Sequence, residues 1–202
     1  MTVENVSTPG LINTPIAMVA VPLSPGAWAV FTGNDPMFTE GQKADIGTER
    51  IAEDGATGTK DAEMGALSRV RAHGIFKTAA GPILPGQSAQ FSFKASPGDM
   101  LQFESMFVQS NDWFYSFSGE KGLQLFNGGT PVTGDVTSAL KLYDAGTEAD
   151  TPPGTGPDQK PVQATDNQGP TESVVITGAS MRYPEFTIPA TNAVIKVTIT
   201  AN

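Results

Sequence analysis

Alternation of apolar and polar residues with a period of two is the feature that most restricts the fold of this chain. In residues 100–108 the apolar side chains fall on one face, while Gln102 and Glu104 fall on the other. Residues 193–200 alternate in the same way, with Lys196 among the polar positions. Because successive side chains of a strand point to opposite faces, both segments are typical of half-buried β-strands.

Turn residues divide this pattern into many short pieces. The chain contains 22 glycines and 16 prolines, and clusters of Gly, Pro, Asn and Asp lie between the apolar segments. Turn residues at such short intervals favour strands joined by turns over long helices. The predicted strands are residues 2–6, 15–21, 27–31, 100–108, 113–117, 123–126, 139–143, 173–177, 182–188 and 193–200.

Two regions depart from the strand pattern. Residues 44–72 are rich in Ala, Glu, Met, Leu and Arg, and they predict short helices at residues 44–53 and 60–72. Residues 149–171 show no periodicity and predict a long loop, of a length that is usually functional or mobile. We therefore predict an all-β fold, an antiparallel two-sheet β-sandwich with a short helical insertion around residues 44–72, built by a single domain over residues 1–202.

Charge and composition exclude several classes of function. The net charge is −9, from 21 acidic and 12 basic residues, so a nucleic-acid backbone would be repelled. There are no cysteines, which removes thiolate chemistry, disulfides and cysteine-based zinc sites. No apolar run approaches the roughly 20 residues that span a bilayer, and no signal peptide is visible. The excess of acidic over basic residues instead favours the binding of cations.

Two acidic motifs each follow a predicted strand. The sequence SNDWF at residues 110–114 contains Asp112, and YDAGTE at residues 143–148 contains Asp144 and Glu148. Carboxylates that meet at one end of a sandwich can form a hard-cation site, since Ca²⁺ takes many oxygen ligands. Asp144 and Glu148 can face one centre if Gly146 provides a sharp turn. The alternatives are an ordinary Asn–Asp turn and a solvated acidic loop, and the pattern is not that of an EF-hand.

These motifs resemble the spondin-type domain, which occurs in F-spondin and mindin and as a stand-alone secreted module in bacteria. AWAVF at residues 27–31, PMF at 36–38, IAEDG at 51–55 and the last strand are similar as well, so the resemblance covers nearly the whole chain. It implies a C2-like β-sandwich that binds calcium through loops at one end. The calcium ligands of the family fall on Asp112, Asp144 and Glu148. Asp150 lies close enough along the chain to assist, although no motif supports it.

No motif indicates an enzyme. His73 is the single histidine, and no serine lies in a nucleophile-elbow context. The acid pairs Glu53–Asp54 and Asp61–Glu63 could act as a paired acid and base, but they are more typical of helix caps or of a solvated helix face.

The sequence therefore predicts a secreted, non-enzymatic, calcium-binding module for cell adhesion or extracellular matrix, with its signal peptide removed. The expected partner is an extracellular protein or a polysaccharide surface, and self-association is left open. The alternative is a structural subunit of an extracellular filament or surface coat that assembles through β-strand edges. Neither a nucleic-acid partner nor a membrane span is expected.

Overall fold

The computed structural model describes residues 1–13 and 18–201 of the chain. Over these residues the chain forms fifteen strands, four short α-helices and one 3-10 helix. The strands are β1 (Thr2–Asn5), β2 (Ile12–Asn13), β3 (Met18–Val19), β4 (Leu23–Phe31), β5 (Val70–Phe76), β6 (Ser88–Gln90), β7 (Met100–Phe107), β8 (Trp113–Phe117), β9 (Leu123–Gln124), β10 (Phe126–Asn127), β11 (Thr130–Pro131), β12 (Gly134–Asp135), β13 (Leu140–Asp144), β14 (Thr177–Gly178) and β15 (Ile195–Ile199). The helices are α1 (Ile46–Asp54), α2 (Gly58–Gly65), α3 (Ala179–Arg182) and α4 (Thr191–Val194), and the 3-10 helix is Thr137–Ala139.

Two antiparallel sheets pack against each other. A four-stranded sheet has the order β12-β15-β1-β6, and a seven-stranded sheet has the order β14-β13-β8-β7-β4-β5, with β9 paired to β7. In the smaller sheet β1 pairs with β15, so that Val3 lies opposite Val197. The prediction of a mainly β, antiparallel fold is confirmed. The single domain expected over residues 1–202 stays a prediction.

Apolar side chains from both sheets fill the space between them. Val3 and Val197 of the smaller sheet share one buried cluster with Trp28, Phe103 and Tyr115 of the larger sheet. Burial of a large apolar side chain contributes about 1.5–3 kcal/mol to folding. This core therefore fixes the positions at which the central strands of the larger sheet end.

The opposite face of the seven-stranded sheet is covered by α1 and α2. A second buried cluster joins Ile51 and Met64 of these helices to Ala29 and Phe114 of the sheet. The larger sheet is thus covered on both faces, by the smaller sheet on one side and by a helical layer on the other.

Because of this helical layer, the prediction that β7 is half-buried is wrong. Gln102 and Glu104 have no exposed surface. Gln102 Nε2 donates to Asp35 Oδ2 at 2.6 Å, and Thr48 Oγ1 donates to Glu104 Oε1 at 3.1 Å. Burial raises the pKa of Glu104 to about 8, a shift that the charge of Lys60 reduces. The alternation of polar and apolar residues within a strand cannot predict that helices from another part of the chain bury its polar face.

The helical insertion ends earlier than predicted. α1 is capped by Asp45, whose side chain accepts from Thr48 N, and Gly55 follows its end with φ of +68°. α2 ends at Gly65, and β5 begins at Val70, inside the helix predicted for residues 60–72. Pairing of β5 with β4 outweighs the helix propensity of the Ala and Arg residues there.

The C-terminal third also differs from its predicted strands. α3 ends at Arg182, and the strand predicted for residues 182–188 is not formed. Pro184 and Pro189 lack the N–H that a sheet ladder needs. The strand predicted for residues 173–177 is reduced to β14.

Two further strands are shorter than predicted. The last one begins at Ile195, because α4 occupies the preceding four residues. The strand predicted for residues 15–21 lies partly outside the described residues, which resume at Met18 with β3. Residues 149–171 contain neither helix nor strand, as predicted.

Candidate metal centre

Asp112 lies in the turn between β7 and β8. Ser110 Oγ donates to Phe107 O at 2.7 Å and accepts from Trp113 N at 3.1 Å, so this side chain closes the turn at both ends. Gln109 reverses the chain direction with φ of +77°, which is uncommon for a residue other than glycine. The turn leaves the Asp112 side chain completely buried.

Asp144 is the last residue of β13 and lies directly beside that turn. β13 pairs with β8, and Asp144 is opposite Trp113 in the register. Ala145 N donates to Asp112 O at 3.1 Å. The pairing of these two strands therefore brings together Asp112 and Asp144, two of the three ligands predicted from the sequence.

The YDAGTE segment wraps around the Asp112 carboxylate. Gly146 has φ of +70°, and its N–H donates to Asp144 Oδ1 at 2.7 Å. Thr147 N and Glu148 N both donate to Asp112 Oδ2, at 2.7 and 3.1 Å. The sharp turn expected at Gly146 is thus used to place two backbone donors on Asp112.

Asp150 completes a group of three carboxylates. Trp113 Nε1 donates to Asp150 Oδ2 at 2.7 Å. Asp112, Asp144 and Asp150 each offer one oxygen, and these oxygens lie within 4.8 Å of one another. In the described part of the chain no other set of three acidic or histidine side chains comes so close together. The arrangement could hold a metal ion.

One oxygen of each carboxylate accepts no hydrogen bond. These buried atoms are Asp112 Oδ1, Asp144 Oδ2 and Asp150 Oδ1. Burial, and then the charge of Asp144, raise the pKa of Asp112. Burial also raises the pKa values of Asp144 and Asp150, and the charge of Asp112 adds to the shift at Asp150. A cation bound here would satisfy all three oxygens and favour the ionised carboxylates.

Glu148, the third predicted ligand, lies outside this group. Asn111 Nδ2 donates to Glu148 Oε1 at 2.9 Å, while Oε2 is buried without a donor. Burial raises the pKa of Glu148 to about 7, and the charges of Glu53 and Asp158 contribute to the shift. The assignment of Glu148 as a metal ligand stays a prediction.

The long loop is anchored to the same turn. Asn111 Oδ1 accepts from Thr151 N at 3.1 Å and from the buried Gln159 Nε2 at 3.0 Å. Further along the loop, Gln163 Nε2 donates to Asp54 Oδ1, at the end of α1, at 2.9 Å. These hydrogen bonds hold the loop in a position that places Asp150 beside Asp112 and Asp144. No local sequence signal indicates them, although the position of Asp150 two residues after the YDAGTE motif is suggestive.

Arg182 at the end of α3 faces the same carboxylates. Its Nε lies 3.2 Å from Asp144 Oδ2, although the N–H is not aligned for a hydrogen bond. Its Nη1 lies 3.5 Å from Glu172 Oε2, and its Nη2 donates to Val175 O. The sequence pattern gives no sign that Arg182 belongs to the site, because it predicts a strand there.

None of the candidate catalytic groups belongs to the three-carboxylate group, although Glu53 lies beside Thr147, which donates to Asp112. His73 Nδ1 is 2.7 Å from Asp61 Oδ1, and both side chains are about one-third exposed, at 37% and 35%. Glu53 is buried, and burial raises its pKa to about 7. Within residues 1–13 and 18–201, no helix is long and apolar enough to cross a membrane.

Comparison with known protein families and with curated proteins finds no family model and no curated protein that matches this chain. Two strand ends and one loop bring three buried carboxylates together, and their oxygens suit a hard cation.

Proposed function

We propose that this chain is a secreted, non-enzymatic module that binds Ca²⁺ and serves adhesion or recognition in the extracellular matrix. The observation that carries the proposal is the group of Asp112, Asp144 and Asp150, in which one buried oxygen of each residue accepts no hydrogen bond. The two packed antiparallel sheets are compatible with the C2-like sandwich of a spondin-type domain. The resemblance of the SNDWF and YDAGTE motifs supports the same family.

The ligand chemistry favours Ca²⁺ over softer metals. All three ligand groups are carboxylates, which suit hard cations. The chain has no cysteine, and its single histidine, His73, contacts Asp61 instead. Ca²⁺ accepts six to eight oxygens in irregular geometry, whereas Mg²⁺ demands a near-ideal octahedron. Water or backbone carbonyls would complete the calcium coordination.

The origin of the three ligands supports a bracing role for the ion. Asp112 lies in the turn directly before β8 and Asp144 ends β13, while Asp150 belongs to the long loop. An ion that joins them would fix the loop against the sheet. Val175 and Met181 lie on the segment that Arg182 holds beside the centre, and they are 42% and 70% exposed. An ordered loop beside exposed apolar side chains suits recognition of an extracellular protein or polysaccharide.

The alternative, a filament or coat subunit, requires an open strand edge. β5 lies at the end of the seven-stranded sheet, and its exposed positions include Arg71, His73 and Ile75. Arg71 pairs with Asp99 and His73 contacts Asp61, so charged side chains line this edge, and charged residues on edge strands oppose the pairing of two copies. This observation favours the ion-binding module.

Isothermal titration calorimetry with CaCl₂ tests the proposal. The unaltered chain is expected to show saturable binding, and the Asp144→Asn variant is expected to lose it. Asp166→Asn is the matched control, because Asp166 is 71% exposed and pairs with Lys160 away from the centre. No saturable binding by the unaltered chain, or unchanged binding by Asp144→Asn, would overturn the proposed function.

A further inference from the structure

Arg182 lies between two acidic side chains at the margin of the carboxylate group. Its Nε is 3.2 Å from Asp144 Oδ2, and its Nη1 is 3.5 Å from Glu172 Oε2. The Arg182 side chain is 15% exposed, compared with 0% for Asp144 and 28% for Glu172. The contact with Asp144 is thus the shorter of the two and the less screened by water.

Asp144 Oδ2 is the atom that Arg182 and a bound cation would share. The other oxygen of Asp144 already accepts from Gly146 N, whereas Oδ2 accepts no hydrogen bond. Because the N–H of Arg182 is not aligned with Oδ2, the guanidinium acts on this oxygen through its charge. A cation held by the three carboxylates would therefore be repelled by Arg182 across a single oxygen atom.

We infer that Arg182 sets the affinity and the charge preference of the cation site by holding a permanent positive charge beside Asp144. The inference rests on the proposed function, since it assumes that Asp112, Asp144 and Asp150 hold the ion. It also explains how three buried carboxylates are tolerated together, because Arg182 offsets part of their negative charge.

Coulomb's law gives this role a specific signature. Repulsion between Arg182 and the bound ion is proportional to the charge of the ion. Removal of the guanidinium charge therefore raises the logarithm of the affinity about one and a half times as much for a trivalent ion as for a divalent ion. For a unit charge about 6 Å away, even a water-like dielectric, which gives the smallest effect, predicts gains of about tenfold for Ca²⁺ and about thirtyfold for Tb³⁺.

A purely structural role for Arg182 would behave differently. Arg182 also donates to Val175 O, and so ties α3 to the segment before β14. Loss of this tie alone would loosen the site and weaken the binding of both ions.

The Arg182→Lys variant keeps the charge and loses the planar contacts. The Glu172→Gln variant removes a negative charge beside Arg182, so it should shift both affinities in the opposite direction from Arg182→Gln.

Terbium luminescence of the full chain tests the inference. Trp113, which donates to Asp150, is an antenna beside the site, and Ca²⁺ affinity is read from the displacement of Tb³⁺. Arg182→Gln is expected to bind Ca²⁺ at least about tenfold and Tb³⁺ at least about thirtyfold more tightly than the unaltered chain. Arg182→Lys is expected to resemble the unaltered chain, and Glu172→Gln to bind both ions more weakly.

The possible failures of this experiment are distinct. Equal or weaker binding of both ions by Arg182→Gln overturns the role of Arg182 and leaves the calcium site standing. Equal gains for Ca²⁺ and Tb³⁺ also overturn it, because a charge effect must scale with ionic charge. If neither the unaltered chain nor Arg182→Gln binds either ion, the proposed function fails and this inference fails with it.

Discussion

Trp113 Nε1 donates a 2.7 Å hydrogen bond to Asp150 Oδ2, and this contact ties the long loop to the ends of the central strands. Trp113 also follows Asp112 directly in the chain and lies opposite Asp144 in the strand register. One buried residue is thus linked to all three carboxylates, to Asp150 through its side chain and to Asp112 and Asp144 through the backbone. Its indole N–H is therefore a direct target for testing how the loop is held.

Trp113→Phe is expected to destabilise the ion-free protein by about 1–3 kcal/mol beyond the lost packing, because Asp150 Oδ2 would be buried without its donor. Urea unfolding in chelator measures this change. Trp28→Phe is the matched control, since Trp28 Nε1 is also buried but donates no hydrogen bond. Equal losses of stability in the two variants would show that the bond to Asp150 contributes nothing.

Asp150→Asn and Glu148→Gln distinguish the ligand set of the structure from the one that the motif resemblance implies. Asp150 shares the three-carboxylate group, whereas Glu148 is bonded to Asn111 outside it. Calcium affinity, measured by calorimetry, is expected to fall about a hundredfold or more in Asp150→Asn, which removes a charged ligand. Glu148→Gln is expected to lower it by roughly threefold or less, through long-range charge alone. The reverse ranking would restore Glu148 as the third ligand.

The stability of the ion-free protein is expected to fall as pH rises. Burial raises the pKa values of Asp112, Asp144 and Asp150, so the native state retains protons that the unfolded chain releases near pH 4. Stability is then fully present below about pH 4 and is lost as pH rises through the raised native pKa values. A bound cation favours the ionised carboxylates and should remove this decline.

The test of this pH dependence is the melting temperature in chelator and in saturating CaCl₂, between about pH 5 and pH 8. Burial also raises the pKa values of Glu104, to about 8, and of Glu53, to about 7. These two groups contribute a similar decline under both conditions. The relevant quantity is therefore the gap between the two curves, which should widen with pH. Parallel curves would contradict the assignment of the carboxylate group as the cation site.

The strand patterns predict that Asp112 and Asp144 lie next to strand ends, where they can share a site. They do not predict the position of Asp150. Both acids follow segments that the sequence predicts as strands, and β8 and β13 are neighbours in the sheet. The position of Asp150 depends on hydrogen bonds that Asn111 and Gln159 make across a loop without periodicity. Such long-range contacts between polar side chains leave no periodic trace in the sequence.

Two further residues show why local patterns fail where distant elements meet. Glu104 alternates as a solvent-facing strand residue should, yet α1 and α2 cover it completely. Arg182 lies in a segment whose apolar residues predict a strand, but α3 forms instead and directs its guanidinium to Asp144. In both cases tertiary packing decides the environment of a charged side chain.

The helical layer that buries Glu104 also contains a completely buried lysine. Lys60 Nζ donates to Met37 O at 2.7 Å and to Asp45 Oδ1 at 2.6 Å, and it lies 3.2 Å from Glu63 Oε2. Burial by itself would lower the pKa of Lys60, but the charges of Glu104 and Asp45 outweigh it and raise the value. The helices are therefore attached to the sheet through a compensated charge network as well as through apolar contacts.

Lys60→Met is expected to destabilise the protein by about 3–5 kcal/mol, because it removes the buried ammonium that donates to Met37 O and Asp45 Oδ1 and pairs with Glu63. Lys141→Met is the control: Lys141 pairs with Glu40 at the surface, where an ion pair contributes about 1 kcal/mol or less. The double variant Lys60→Met with Glu104→Leu should regain part of the loss, since it also removes the buried Glu104 carboxyl, whose charge acts on Lys60. Urea unfolding at neutral pH measures all three variants. If the double variant is as unstable as the sum of its single changes, Lys60 and Glu104 are not coupled, and the loss in Lys60→Met must come from its bonds to Met37 and Asp45.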